Sequence, residues 1–265
     1  MEFVVKEFYR ELAASEFEPE WFELHFSSRD GDLPSVKIAG EKMTALLEGL
    51  VDRADLWEQD EKLYVRVVDY KTGKKKLEYS NILNGLGLQM LLYLFTLERE
   101  GFSLREKELT PAGVLYFPAR FEQVSLDGGR DAAKAAEKRQ KAMTRSGLLL
   151  DQTQVLQAME PCEGEPQYLP YGLDKEGERK GYLADRGQMK DLADFVFGKV
   201  ASLGDELYEG KIDPNPYFYD TKNDNGCAFC PYETVCRGRR QERWLKKIKE
   251  PEEFWRQVKE GADNG

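Results

Sequence analysis

Apolar positions between residues 43 and 71 fall into two short strand-like runs, and these organise the reading of everything around them. Residues 43–53 and 62–71 are rich in Leu, Val and Tyr. The polar break between them, Trp57-Glu58-Gln59-Asp60-Glu61, predicts a hairpin. Upstream, apolar residues recur at helical intervals from Glu2 to Glu20, which predicts a helix ending before Pro19. Residues Trp21 to Phe26 then alternate like a strand. Downstream, Ile82 to Glu98 reads as an apolar helix, Ala112 to Pro118 as a short buried strand extending the sheet, and Asp131 to Gly147 as an exposed helix with a glycine stop. Residues 160–184, rich in Gly, Pro and charge, predict a loop excursion. A long helical pattern returns from Arg186 to Glu209, and Gln241 to Gly265 reads as a charged helical segment carrying Trp244, Phe254 and Trp255.

The hairpin is where chemistry collects. Strand side chains alternate faces, so Asp69 and Lys71 point the same way, and a hairpin can bring Asp52 beside them. The run into Asp69, Leu63-Tyr64-Val65-Arg66-Val67-Val68, is mostly apolar, and an ionised carboxylate at its end is costly unless paired or metal-bound. Two carboxylates suit a hard divalent cation such as Mg²⁺, which completes its shell with water and phosphate oxygens. Such an ion lowers the pKa of water and stabilises charge on a phosphate, and Lys71 would offset the negative charge developing there. Gln89 and Tyr93, four apart, share a helix face; turned towards the site, both can bind a nucleic-acid backbone. Singly, each feature has a plainer explanation: Asp52 with Arg53 and Asp69 with Lys71 as surface ion pairs, Gln89 and Tyr93 as the edge of a core. Their conjunction in chain order favours a metal-dependent nuclease site.

Composition changes this picture at two points. The 265 residues, 41% of them hydrophobic, suit a globular domain with an appendage, and no apolar run is long enough to span a bilayer. With no signal peptide at the start, the expected location is the cytoplasm. A net charge of −10 argues against a nucleic-acid binder only as an average. Lys74-Lys75-Lys76 directly follows the hairpin, Lys134 to Arg145 is basic, and a third cluster lies between Arg237 and Lys249. His25 is the sole histidine, which argues against a His-rich zinc site or a His-dependent triad. Glu23 is an upstream carboxylate that reads as a strand-edge residue facing water.

Three of the four cysteines, Cys227, Cys230 and Cys236, form a CxxCxxxxxC pattern. A cytosolic chain rarely holds such residues as disulfides, and clustered thiolates suit zinc or an iron–sulfur cluster, either of which normally takes four ligands. The absence of nearby His leans towards iron–sulfur.

Gly49-x-x-Asp52-Arg53-x-Asp55, Asp69-Tyr70-Lys71-Thr72-Gly73 and Gln89-x-x-x-Tyr93, with the cysteine tail, resemble the AddB-type (RecB-like) PD-(D/E)XK nuclease domain over about Trp21 to Arg240. The resemblance implies an α/β restriction-endonuclease-like core, with a central mixed sheet flanked by helices and a C-terminal Cys-rich appendage. The expected division is a nuclease core over 1–212 and a cysteine segment with terminal helix over 213–265. It implies Asp52, Asp69 and the Tyr70 carbonyl as Mg²⁺ ligands and Lys71 as the catalytic lysine. Gln89, Tyr93, Lys74 and Lys75 would lie along the DNA, with Asp55 structural. It also implies Cys227, Cys230 and Cys236 as three ligands of a [4Fe–4S] cluster whose fourth ligand lies upstream of the nuclease core. Cys162 does not match that position, so the cluster is expected to be absent or incomplete here and residues 214–240 mobile. The implied activity is a Mg-dependent DNA exonuclease acting on single strands beside an AddA-like helicase subunit, in double-strand-break repair by recombination. Two rivals remain: a non-catalytic DNA-binding scaffold of the same fold, and a metal-stapled protein-interaction module.

Overall fold

In the computed structural model the described residues are 2–73, 75–119, 132–219, 225–228, 230–232, 234–236, 242–248 and 250–262. The chain opens with α1 (Glu2–Ala14), β1 (Glu18–Phe26), β2 (Val36–Ala39), β3 (Thr44–Leu47), β4 (Gly49–Gln59) and β5 (Lys62–Lys71). Next come α2 (Tyr79–Leu83), α3 (Gln89–Glu100), α4 (Phe102–Arg105), β6 (Leu109–Pro118), α5 (Ala132–Lys141), β7 (Ser146–Leu150) and α6 (Thr153–Met159). It continues with β8 (Tyr171–Leu173), β9 (Arg179–Gly181), β10 (Leu183–Ala184) and α7 (Arg186–Tyr208), and ends with β11 (Tyr217–Phe218), β12 (Arg243–Trp244) and α8 (Pro251–Ala262).

Six strands form one mixed sheet in the order β1-β4-β5-β6-β7-β10. Neighbours pair antiparallel except β5 with β6 and β7 with β10. The parallel β5–β6 step needs a crossover, and α3 supplies it, packing across both strands. Residues Met90 to Leu97 of α3 are all buried, as are Leu63 to Asp69 of β5, so the centre of the sheet reads as a mostly apolar run, broken in β5 by Arg66 and Asp69. Helix α1 packs through Phe8, whose ring lies 6.3 Å from that of Tyr70 and 5.5 Å from that of Phe117. The expected α/β core, a central mixed sheet with flanking helices, is the one found.

Residues Met1–Val36, Leu46–Leu77 and Gln89–Ala193 form one unit, and Lys37–Ala45, Glu78–Leu88 and Asp194–Gly265 a second. In the second, the Phe254 ring of α8 stacks on Tyr79 of α2 at 4.0 Å. Asp205 caps the loop after β2, accepting the N–H groups of Glu41, Lys42 and Met43.

Several sequence expectations shift. Helix α1 stops at Ala14, and β1 begins at Glu18 and carries Pro19, tolerated because β1 is an edge strand. The run 43–53 is divided: Thr44–Leu47 pairs with β2, and the central strand starts at Gly49. The hairpin turn is two residues, Asp60 and Glu61, with φ of 50° and 63°, the left-handed pair of a type I′ turn. Trp57 stays in the strand because its ring packs on Phe17 and Tyr64. The helix expected over 82–98 is broken, since Gly85 and Gly87 have positive φ between α2 and α3. Gly147 is no helix stop: it lies in β7, opposite Leu115. The excursion over 160–184 holds the β8–β9 hairpin and a strand of the main sheet, β10. Helix α7 follows the expected pattern, and α8 realises part of the terminal one.

Candidate active site

The tight turn fixes the β4–β5 register, and the register places the carboxylates. Arg53 pairs with Val68, and Ala54 with Val67, and one further step of that register sets Asp52 opposite Asp69. Asp52 Oδ2 accepts the Tyr70 backbone N–H at 3.0 Å, and Lys71 Nζ lies 2.7 Å from Asp69 Oδ2. Asp69 is 4% exposed while the Lys71 side chain is 33% exposed, so the lysine bridges a buried carboxylate to the surface. Burial raises the Asp69 pKa above the ordinary carboxylate value, and the Asp52 charge raises it further, against the lowering pull of Lys71. Tyr116, paired with Asp69 across β5–β6, has its hydroxyl pushed up to about 12 by burial and by the Asp69 charge.

Apart from the Lys71 ammonium, no donor among the described residues reaches the buried Asp69 Oδ2. A desolvated oxygen paired only with a surface lysine, beside a second carboxylate and at the end of an apolar strand, fits a hard divalent cation. Asp52 and Asp69 are the residues that would hold one.

Gln89 and Tyr93 do meet: Gln89 Nε2 donates to Tyr93 Oη at 2.8 Å. The Tyr93 ring sits edge-on to Phe26 at 5.5 Å, and both rings crowd Gly49, where an added Cβ would lie 2.7 Å from each. Gly49 is therefore a close-approach position that lets the Phe26 and Tyr93 rings close over the start of β4. Lys75 is exposed; Lys74 lies outside the described residues. Glu23 is exposed with φ of 50°, on β1 between the residues that pair with Arg53 and Val51.

Asp55 belongs to the opposite face of the hairpin. It is fully buried between two fully buried arginines: Arg66 Nε donates to Asp55 Oδ2 at 2.8 Å and Arg53 Nη2 to the same oxygen at 3.1 Å. Arg53 Nη1 also donates to Tyr70 Oη at 2.6 Å, and the two guanidiniums lie over the rings of Phe8 and Phe17. This network locks the backbone of the strands whose other face carries Asp52 and Asp69. Sequence reading missed Arg66; the one available signal was an arginine among five apolar neighbours in a central strand. It also missed Tyr116, whose place beside Asp69 depends on a parallel pairing no local pattern announces.

Cys162 lies in the first unit, its thiol donating to the Gly164 carbonyl at 3.3 Å, while Cys227, Cys230 and Cys236 lie in the second. All four are half-buried and none is in a disulfide, and among the described residues no three His, Cys, Asp or Glu side chains converge as a metal-ligand set.

The chain is 31% identical over 228 residues to the B subunit of the ATP-dependent helicase/deoxyribonuclease of Oceanobacillus iheyensis, covering 84% of this chain and 19% of that protein. It is 34% identical over 225 residues to the protein of that name from Moorella thermoacetica, covering 83% and 19%, and 29% identical over 229 residues to the one from Listeria monocytogenes, covering 84% and 20%. It thus spans about a fifth of the length of these curated relatives. The model of the PD-(D/E)XK nuclease superfamily matches residues 1–237, and with two cross-strand carboxylates and a lysine at the end of the central hairpin, the chain belongs to that superfamily.

Proposed function

We propose that this chain is the nuclease segment of a helicase–nuclease, a Mg²⁺-dependent deoxyribonuclease that hydrolyses phosphodiester bonds of DNA exonucleolytically. The observation that carries this reading is the cluster of Asp52, Asp69 and Lys71, with Lys71 Nζ 2.7 Å from a buried Asp69 oxygen that no other described donor reaches. Asp52 and Asp69 hold the cation, with the Tyr70 carbonyl as a further ligand. When bound, the ion polarises a phosphate oxygen and lowers the pKa of water. Lys71 stabilises the charge that develops on the phosphate. Gln89, Tyr93 and Lys75 position the DNA backbone.

The relatives' name, an ATP-dependent helicase/deoxyribonuclease of which each is the B subunit, supports DNA as substrate and a helicase in the same assembly; the proposed partner is an AddA-like helicase subunit and the proposed process double-strand-break repair by recombination. Single-stranded DNA, as a helicase delivers it, is the proposed form, and the cytoplasm the proposed location. The described residues contain no helix long and apolar enough to cross a membrane. Residues 1–212 act as the nuclease core and 213–265 as the cysteine segment, with Cys227, Cys230 and Cys236 binding three irons of a [4Fe–4S] cluster in the longer subunit. Iron and acid-labile sulfide analysis of the longer subunit, with and without these cysteines, checks that last assignment.

End-labelled single-stranded and duplex DNA, incubated with Mg²⁺ or EDTA, tests the central reading. Metal-dependent cleavage that disappears in Asp69→Ala and Lys71→Ala is the expected result. Cleavage at the wild-type rate by a folded Asp69→Ala protein refutes the site, and DNA binding without cleavage by the wild type favours the scaffold.

A further inference from the structure

A groove of about 680 Å³ opens beside Lys71, and its lining is unlike the rest of this acidic chain. Lys71, Lys75, Lys76, Lys180 and Arg145 contribute to its wall, and no Asp or Glu among the described residues does. In a chain with 49 acidic against 39 basic residues, a cleft bounded by cations alone is a local reversal of sign. Arg145 is committed elsewhere, buried and ion-paired with Glu11, so the cations available to a ligand are lysines. Lys75 and Lys76 are exposed, and Lys180 keeps a 71% exposed side chain with only a 3.7 Å approach to Asp174.

The far wall is the β8–β9 hairpin and the residues that follow it. Tyr171 and Tyr182, both half-buried, line the groove with Pro170 and Gly172. The wall is built rather than incidental. Gly181 has φ of 145°, and a Cβ there would lie 2.6 Å from the Pro170 carbonyl oxygen. Tyr182 N–H donates to that same carbonyl, and the Leu149 N–H donates to the Tyr182 carbonyl, which ties the hairpin base to the main sheet. Cations that follow a backbone, interleaved with aromatic rings, are the chemistry that holds a single nucleic-acid strand without reading its sequence.

We infer that this groove is the strand-guiding subsite of the nuclease. Lys75, Lys76 and Lys180 hold phosphates of the nucleotides flanking the scissile bond, and Tyr171 and Tyr182 offer rings on which their bases stack. The inference rests on the nuclease reading, because Lys71 belongs to both the cleft and the catalytic cluster. It assigns to the β8–β9 hairpin the task of keeping an unpaired strand aimed at Asp52 and Asp69.

Two readouts separate the groove from the catalytic site. The first is fluorescence-anisotropy binding of a labelled single-stranded 20-mer in EDTA, which needs no cleavage. The salt slope falls by about 0.7 for each single-strand phosphate left without its lysine, so Lys75→Ala/Lys76→Ala/Lys180→Ala should lower it by about 2 and weaken binding about 100-fold at 0.1 M salt. Tyr171→Ala and Tyr182→Ala should each weaken binding about tenfold without changing that slope. The second readout is hydrolysis of a minimal phosphodiester, thymidine 5′-p-nitrophenyl phosphate, against the 20-mer. The double variant Lys76→Ala/Lys180→Ala, which leaves Lys71 and Lys75 in place, should lose kcat/KM on the 20-mer at least tenfold and keep the wild-type rate on the small ester. Unchanged binding and salt slope in the triple variant would overturn the proposal, as would equal loss on both substrates or equal competition by duplex DNA. Should the wild type bind but hydrolyse neither substrate, the nuclease reading fails, while the binding series still decides the groove.

Discussion

Replacing Asp55 with Ala leaves two guanidiniums buried without their shared counter-charge. Arg53, Asp55 and Arg66 all have 0% exposure, and each arginine makes one hydrogen bond to Asp55 Oδ2, at 3.1 and 2.8 Å. Hydrogen bonds to charged groups contribute about 1.5–3 kcal/mol each, so two give about 3–6 kcal/mol, in line with the ~3–5 kcal/mol typical of breaking a buried pair. For a domain of this size each kcal/mol moves Tm by about 2–4 °C, so a loss of ~4 kcal/mol corresponds to roughly 8–16 °C. Differential scanning fluorimetry reads the shift. The triple variant Arg53→Met/Asp55→Leu/Arg66→Met should recover most of it, because an apolar replacement of similar volume removes the unpaired charges. A Tm decrease smaller than about 3 °C in Asp55→Ala, or no recovery in the triple variant, would refute the view that these charges depend on each other.

The Asp69 carboxyl is easier to protonate in the folded chain than in the unfolded one. Its ionisation therefore costs stability as pH rises through the raised pKa, and Asp69→Asn should raise Tm in EDTA at pH 7 while abolishing cleavage. A lower Tm in that variant contradicts the sign. Gly49→Ala puts a methyl 2.7 Å from both Phe26 and Tyr93, so overpacking should cost about 1–3 kcal/mol, read as a lower urea midpoint at unchanged m-value. Phe254→Ala removes a fully buried ring stacked on Tyr79 and should cost about 3–5 kcal/mol, seen as faster tryptic cleavage within α8. Unchanged proteolysis would mean that α8 is held by other contacts.

The sequence alone determined the features that are local. Alternation on a strand put Asp69 and Lys71 on one side, four-residue spacing brought Gln89 to Tyr93, and apolar runs announced the central strands and the long α7 helix. Each depends only on backbone period, which neighbouring residues carry with them. Element ends were less legible, because what extended β4 through Trp57 and broke the helix before Gln89 was packing and two left-handed glycines. Tertiary structure decided the rest. Only the register of the hairpin sets Asp52 across from Asp69, and only the β5–β6 pairing brings Tyr116 beside that carboxylate. The same holds for Asp55, legible as a motif residue but not as the centre of a buried charge network, and for Lys180, which reaches the groove beside Lys71 from more than a hundred residues along the chain. Pairing and burial between distant segments are set by which faces can be desolvated together, a property of the assembled sheet that no window of sequence contains.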